Sequence, residues 1–201
     1  MDVQEINVRK SAVVLVEFQN QWTERGLYHR LIRGKLESRN VLENTRILVR
    51  EARKNGIKII HAPLVIDPER KKGWLAHLTS GRVFTKNTWK SEFTEGVYEE
   101  GDLVVEGRHA FDAFAGSNLE QLLRDNQIET VFLCGFTTDQ CVAKTMKTAL
   151  KKGFRSFLVS DCTATLNDFL QRRTEKSFQE KVVSSRELLD IIGRTGKIAT
   201  F

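Results

Sequence analysis

The 201-residue sequence lacks the features that mark several classes of protein. Its three cysteines, Cys134, Cys141 and Cys162, match no zinc-binding spacing. No apolar run approaches the roughly 20 residues that span a bilayer. Residues 1–5 hold an acidic pair rather than the start of a secretion signal. We therefore expect a cytoplasmic protein with reduced thiols and no membrane partner.

Two further absences concern nucleotides and nucleic acids. The formal net charge is +6, but the basic residues occur in dispersed pairs with acidic neighbours, and no basic stripe interleaves with aromatic residues. No Gly-x-Gly-x-x-Gly segment follows an apolar run. The sequence predicts no nucleic-acid partner and no dinucleotide cofactor.

Apolar runs alternate with segments of helical periodicity along the chain. Strands are predicted at residues 12–16, 56–61, 102–106, 130–134, 154–160 and 181–184. Helices are predicted at residues 38–54, 118–126, 138–152, 167–180 and 185–192. This alternation predicts an α/β fold, a three-layer α/β/α arrangement with a largely parallel, six-stranded, Rossmann-like sheet. We expect residues 1–201 to form a single domain.

The connection between the second and third predicted strands, residues 62–101, has weak periodicity. It contains both prolines and two of the three tryptophans. Long connections of this kind often form lids or substrate walls. A crossover decorated with short helices is the other interpretation, and the sequence does not choose between them.

Ligands of an open parallel sheet bind beyond the carboxyl ends of its strands. The candidate residues there are Glu17, His61, Arg108, Cys141 and Asp161. Cys141 follows a strand and a glycine and starts a helix, where unpaired N–H groups favour a thiolate and could hold an oxyanion. A small buried core residue is the alternative interpretation of this cysteine.

Four segments together resemble the isochorismatase-like cysteine hydrolases. The nucleophile segment of that family resembles residues 135–142, Gly-Phe-Thr-Thr-Asp-Gln-Cys-Val. Residues 14–20 resemble its first strand, residues 104–114 the segment with its catalytic lysine, and residues 159–164 the strand end after the nucleophile helix. The resemblance covers about residues 11–188.

The resemblance implies an acid–cation–cysteine triad of Glu17, Arg108 and Cys141. In such amidases the acid takes the thiol proton, the thiolate attacks a carbonyl, ammonia leaves and water hydrolyses the thioester. The resemblance also implies an oxyanion hole from the N–H groups of Thr137 and Cys141, and a cis peptide at Phe136–Thr137. It further implies a small amide, ureide or carbamoyl substrate and a homo-oligomer, either a dimer or a tetramer.

Two positions depart from the pattern of the family. Glu17 replaces the usual aspartate, and Arg108 replaces the usual lysine. Arginine supplies charge but cannot give up its proton. Lys86 and Lys90 in the long connection are alternative sources of a cation.

The segment from His61 onward lacks the Asp-x-His motif of the metal-binding nicotinamidases. We therefore predict no metal, and we interpret His61 as a hydrogen-bonding residue at a strand end. The aromatic residues that could form pocket walls are Phe18, Trp22, Trp74, Trp89 and Phe114.

Three functions remain open from the sequence. The first is a cysteine hydrolase of a small C–N substrate. The second is a catalytically impaired member of the family that acts as a small-molecule-binding or assembly subunit, which the arginine at position 108 favours. The third is a redox-active protein in which Cys134 or Cys162 resolves an oxidised Cys141, although there is no Cys-x-x-Cys pair.

Overall fold

The structure is a computed structural model that describes residues 6–67 and 83–198, with side chains up to residue 194. Its centre is one six-stranded sheet in which all neighbouring strands are parallel, in the order β3-β2-β1-β4-β5-β6. The strands are β1 (Ser11–Val16), β2 (Lys58–Ala62), β3 (Leu103–Val104), β4 (Thr130–Phe136), β5 (Arg155–Ala164) and β6 (Val182–Val183). The predicted α/β fold with a parallel six-stranded sheet is confirmed.

Seven α-helices lie in the described part of the chain. They are α1 (Asn20–Thr23), α2 (Leu27–Ser38), α3 (Val41–Lys54), α4 (Leu119–Asp125), α5 (Ala143–Lys151), α6 (Asp168–Phe178) and α7 (Ser185–Ile198). Within the described ranges, none of them is long and apolar enough to cross a membrane.

The sequence missed α2, whose buried side chains Ile32 and Leu36 are embedded among charged residues and a mid-helix glycine. The helix predicted at residues 138–152 is divided into a π-helical turn, Thr138–Val142, and α5. Strand β5 also extends beyond its predicted end at residue 160 to Ala164. The added residues of β5 pair with the end of β4, and in the turn the N–H of Val142 donates to the carbonyl oxygen of Thr137 at 3.2 Å. Local periodicity shows neither feature.

Both faces of the sheet are covered by helices, as a parallel sheet requires. In β1, Val13 and Leu15 point to the layer that contains α2, α3 and α7. Their neighbours Val14 and Val16 point to the opposite layer, which contains α4 and α5. Because side chains alternate across a strand, a strand buried on both faces has the continuous apolar sequence seen here.

The long connection between β2 and β3 is described at residues 63–67 and 83–102. Two isolated bridges, Gln19 with Phe93 and Ile66 with Thr85, attach these parts to the strand ends and to each other. The predicted pocket residue Trp74 lies outside the described residues.

The strand order changes direction at β1, which has β2 on one side and β4 on the other. The carboxyl ends of β1 and β4 meet at Val16 and Gly135. Gly135 has φ +125°, and a Cβ atom there would lie 1.9 Å from the backbone oxygen of Val16. Only glycine therefore allows the two strand ends to approach as closely as they do.

We expect Gly135→Ala to destabilise the protein by about 3 kcal/mol or more, because the new methyl group meets backbone that cannot move aside. Gly34→Ala is the matched control, since Gly34 lies within α2 and a Cβ there has no neighbour within 4 Å. It should be stabilising by about 0.5–1 kcal/mol. Urea unfolding of both variants measures this, and equal stabilities would contradict the packing argument.

Candidate active site

Glu17 lies at the point where the chain leaves β1. Its backbone is left-handed, with φ +59°, and its N–H donates to the carbonyl oxygen of Ala62 at 3.2 Å. The residue is 1% exposed. This turn places a carboxylate in the crevice between the ends of β1, β2 and β4, and strained backbone of this kind is often found at functional sites.

Arg108 reaches the same crevice from the segment after β3. Its Nη2 atom lies 2.5 Å from Oε1 of Glu17, and both side chains are at most 2% exposed. The guanidinium also donates to three backbone carbonyl oxygens, from Nη1 to Ala62, from Nε to Ala110 and from Nη2 to Phe111. Together with the bond to Glu17, they use four of the five N–H donors of the guanidinium and fix its orientation.

Two more donors surround the Glu17 carboxylate. The indole Nε1 of Trp22 donates to Oε2 of Glu17 at 2.9 Å. The thiol of Cys141 also forms a hydrogen bond with this carboxylate. Glu17, Arg108 and Cys141, which are far apart in sequence, are therefore brought together in one buried cluster.

The turn Thr138–Val142 carries Cys141 and precedes α5. The hydroxyl group of Thr145 donates to the carbonyl oxygen of Cys141 at 2.7 Å, and it accepts from the N–H of Ala113 at 2.9 Å. The peptide bond Phe136–Thr137 is cis. The Thr137 N–H is directed at the Cys141 sulfur, where it favours negative charge.

Burial raises the pKa of the Cys141 thiol well above its usual value. The Glu17 carboxylate raises it further by its charge and by accepting the S–H bond, while Arg108 and the Thr137 N–H act in the opposite direction. The resting proton therefore lies on sulfur. The N–H group at the helix start favours a thiolate, as expected, but desolvation and the Glu17 charge outweigh it.

A buried polar network supports the nucleophile turn from below. The Thr138 hydroxyl donates to Oε1 of Gln171 at 2.8 Å, and Nε2 of Gln171 donates to Glu175 at 2.8 Å. Glu175 in turn accepts from Arg39 at 3.0 Å. Sequence reasoning missed this network because its members come from the residue after α2, from α6 and from the turn, with no common local pattern.

His61 is buried at the end of β2, where its Nε2 lies 3.0 Å from Oδ2 of Asp102. Burial lowers the pKa of His61. Burial would raise the pKa of Asp102, but hydrogen bonds from His61 and Arg53 outweigh it and lower that pKa to about 2. The histidine is therefore a neutral partner of a carboxylate.

No group of three metal-ligating side chains occurs in the described ranges.

The structure places the predicted pocket residues in different environments. Phe18 is 1% exposed and packs on Phe136, with ring centroids 4.7 Å apart, so it is a core residue. Phe114 packs against Phe154 at the opposite, amino-terminal end of β5, which corrects its assignment as a pocket wall. Trp89 is half-buried beneath the guanidinium of Arg25.

Trp22 alone of the four described pocket residues makes a hydrogen bond to the cluster. Its ring also packs against Tyr28 at 4.8 Å and Phe84 at 6.2 Å. Neither Tyr28 nor Phe84 was predicted from the sequence, because Tyr28 lies in the missed helix α2 and Phe84 in the irregular connection between β2 and β3.

A cavity of about 920 Å³ adjoins Arg108 on the side of β2 and β3. Its described lining includes Ile66, Lys86, Phe93 and His109. Its volume is in the range of small-molecule sites. Nζ of Lys86 lies 3.0 Å from Oδ2 of Asp67, which also lines the cavity. Lys86 therefore pairs with Asp67 and not with Glu17.

Cys134 and Cys162 form a hydrogen-bonded pair of thiols, and both are 0% exposed. They belong to the apolar layer that contains α2 and α3, whereas Cys141 belongs to the opposite layer. Neither thiol is placed to resolve an oxidised Cys141, so the structure gives no support to the redox interpretation.

Comparisons with known proteins agree with this geometry. The profile of the isochorismatase domain matches residues 11–186. N-carbamoylsarcosine amidase of an Arthrobacter species is 26% identical over 156 residues, which are 74% of this chain and 57% of that protein. The chain spans about half the length of several curated relatives that it matches.

Solved structures show the same fold. A cysteine hydrolase from Pseudomonas syringae pv. phaseolicola 1448A superposes with a TM-score of 0.82 at 17% identity, covering 94% of this chain and 95% of that one. N-carbamoylsarcosine amidase from Thermoplasma acidophilum superposes with a TM-score of 0.72 at 25% identity, covering 88% and 96%.

The raised pKa of Cys141 predicts slow alkylation at neutral pH. The rate of reaction with iodoacetamide, located by mass spectrometry, should rise about tenfold per pH unit from about pH 7 to about pH 9 without a plateau. Glu17→Gln should accelerate alkylation, because it removes the negative charge and leaves Arg108 unopposed. Cys141→Ala should show no labelling in the native protein. A plateau below about pH 8, or slower alkylation of Glu17→Gln, would contradict this account.

Proposed function

Because this chain belongs to the isochorismatase family, we propose that it is an amidohydrolase of small C–N substrates with Cys141 as its nucleophile. The observation that carries the proposal is the buried contact of the Cys141 thiol with a carboxylate, Glu17, which is itself paired with Arg108. A nucleophile in contact with a base that a third group orients is the usual arrangement for covalent catalysis.

In the proposed reaction, Glu17 takes the thiol proton as the Cys141 sulfur attacks the substrate carbonyl. The resulting carboxylic acid then gives this proton to the leaving nitrogen, so that ammonia departs and a thioester remains. Glu17 next takes a proton from water, which attacks the thioester. As the C–S bond breaks, Glu17 gives this proton to the departing Cys141 sulfur, so that the carboxylic acid product and the free thiol are released. The resting state supports this order, since the proton begins on sulfur and the acceptor is already in contact with it.

Arg108 acts in this proposal as a fixed charge. It offsets the buried charge of Glu17 and orients that side chain, and it cannot exchange protons itself. Its bonds to three backbone carbonyl oxygens support this assignment, because a group that is held so fully is suited to electrostatic stabilisation.

The proposed oxyanion hole consists of the backbone N–H groups of Thr137 and Cys141. The Thr137 N–H is directed at the sulfur, which supports its placement beside a carbonyl that the sulfur attacks. Thr137 precedes the nucleophile turn and Cys141 lies within it, before α5, where backbone dipoles favour developing negative charge.

A small-molecule-binding or assembly subunit without turnover is the second candidate function. The cavity beside Arg108 favours it, because among the described residues its lining includes Arg108 but neither Glu17 nor Cys141. A ligand held there would not need to reach the thiol.

The proposal includes a homo-oligomer located in the cytoplasm. Four exposed apolar side chains near the carboxyl ends of the strands support self-association; they are Leu27, Leu31, Leu166 and Phe169. The three free thiols support a reducing compartment.

Release of ammonia from small primary amides and N-carbamoyl compounds tests the enzyme directly. We expect Cys141→Ala and Glu17→Gln to lower kcat by about 1,000-fold or more, because each removes a partner in the covalent step. Cys134→Ala is the matched control and should keep kcat within about twofold. Thermal stabilisation by these compounds without ammonia release would favour the binding subunit instead.

Substitution of Arg108 tests whether charge alone is its contribution. Arg108→Met should cost about 3–5 kcal/mol of stability and about 100-fold or more in kcat, because Glu17 stays buried without a counter-ion. Arg108→Lys should keep kcat within about tenfold while losing about 1–3 kcal/mol, since an ammonium cannot satisfy all three carbonyl oxygens. Urea unfolding and ammonia release measure both quantities. Full activity of Arg108→Met would exclude Arg108 from the reaction.

A further inference from the structure

Tyr28 lies in the first turn of α2 and packs against Trp22, the side chain that donates a hydrogen bond to the proposed base Glu17. Its ring centroid is 4.8 Å from that of Trp22, and it stacks on Phe84 at 5.8 Å with an interplanar angle of 17°. Trp22 in turn donates to Glu17. The aromatic layer Trp22–Tyr28–Phe84 therefore adjoins Oε2 of Glu17, whereas Arg108 binds Oε1, and Phe84 and Trp22 are themselves buried.

The hydroxyl group of Tyr28 has no assigned partner in this layer. Tyr28 is partly buried, and no hydrogen bond to its oxygen is found among residues 6–67 and 83–194. The nearby Thr23 and Gln19, by contrast, are both hydrogen-bonded within the protein. Because Tyr28 is only partly buried, water can hydrogen-bond to this oxygen, and a ligand acceptor can take the place of that water.

The ring contact with Trp22 places Tyr28 beside the reacting groups, and two electrostatic effects agree with this placement. Burial raises the pKa of Tyr28, and the charges of Glu17 and Cys141 raise it further. The phenol is thus within range of both reacting groups, and it remains a neutral hydrogen-bond donor at physiological pH. A substrate carbonyl at Cys141 would place its neighbouring atoms near this donor.

We infer that Tyr28 determines substrate specificity by donating a hydrogen bond from its hydroxyl group to a second oxygen acceptor on the substrate, beyond the carbonyl that Cys141 attacks. This inference rests on the proposed function. It assigns the substrate to the small amides that carry a further carbonyl or carboxylate, and it assigns the rings of Trp22 and Tyr28 to the adjoining wall. Tyr28 takes no part in proton transfer.

The test compares two amides that differ only at the end of the molecule opposite the amide group. Succinamate carries a carboxylate there, and butyramide replaces it by a methyl group. Tyr28→Phe removes only the hydroxyl and keeps the ring stack. We expect it to lower kcat/KM for succinamate by about tenfold, mainly through KM, and to change the value for butyramide by less than about twofold.

Tyr98→Phe is the matched control, because Tyr98 is the other tyrosine of the chain and stacks on Phe93. It should leave kcat/KM for both amides within about twofold of the parent protein. Tyr28→Leu removes the ring as well, and it should also lower kcat if the stack positions Trp22. Equal losses for both amides in Tyr28→Phe would indicate a purely structural role and overturn the inference.

A binding measurement separates failure of this inference from failure of the proposed function. If no amide releases ammonia, the hydrolase proposal fails, and thermal stabilisation by succinamate then decides the role of Tyr28. Greater stabilisation of the parent protein than of Tyr28→Phe would support the hydrogen bond. Equal stabilisation of the two proteins, including none in either, would overturn it.

Discussion

The buried ion pair of Glu17 and Arg108 is the interaction on which the site depends. Both side chains are almost fully removed from water, so neither charge is tolerable without the other. Arg108 compensates its own desolvation with three backbone carbonyl oxygens, which come from the end of β2 and from the segment after β3. The pair therefore connects three strand ends, and it is a structural element as well as part of the proposed chemistry.

A second constraint is that burial and the local backbone dipoles have opposite effects on the pKa of the Cys141 thiol. The sulfur lies at the start of a helical turn, where N–H groups favour negative charge, yet its environment excludes water. Burial wins, and the adjacent Glu17 carboxylate adds to the same result. This arrangement keeps buried Cys141 in the thiol form in the resting site. In the proposed reaction, ionisation coincides with attack, when the negative charge passes to an oxygen beside the Thr137 N–H.

The parallel sheet could be predicted because strands buried on both faces give continuous apolar runs, as at residues 12–16. Parallel strands also explain why Glu17 and Cys141 were expected at one edge of the sheet. Helix α2 and its Tyr28 were missed, since charged residues obscure its narrow apolar face. The sequence left burial of Cys141 open as one of two interpretations, because it shows the place of the residue at a helix start but not the layers packed over it.

The two departures from the family pattern are consistent with each other. A guanidinium is larger than an ammonium and needs planar partners, and the structure supplies them as backbone carbonyl oxygens. The longer side chain of Glu17 reaches Trp22, Arg108 and Cys141 at once. Because Arg108 cannot release a proton, every proton transfer proposed for the reaction passes through Glu17 alone. The contacts that fix this one carboxylate, above all the indole of Trp22 and the aromatic layer behind it, therefore control the geometry of every step.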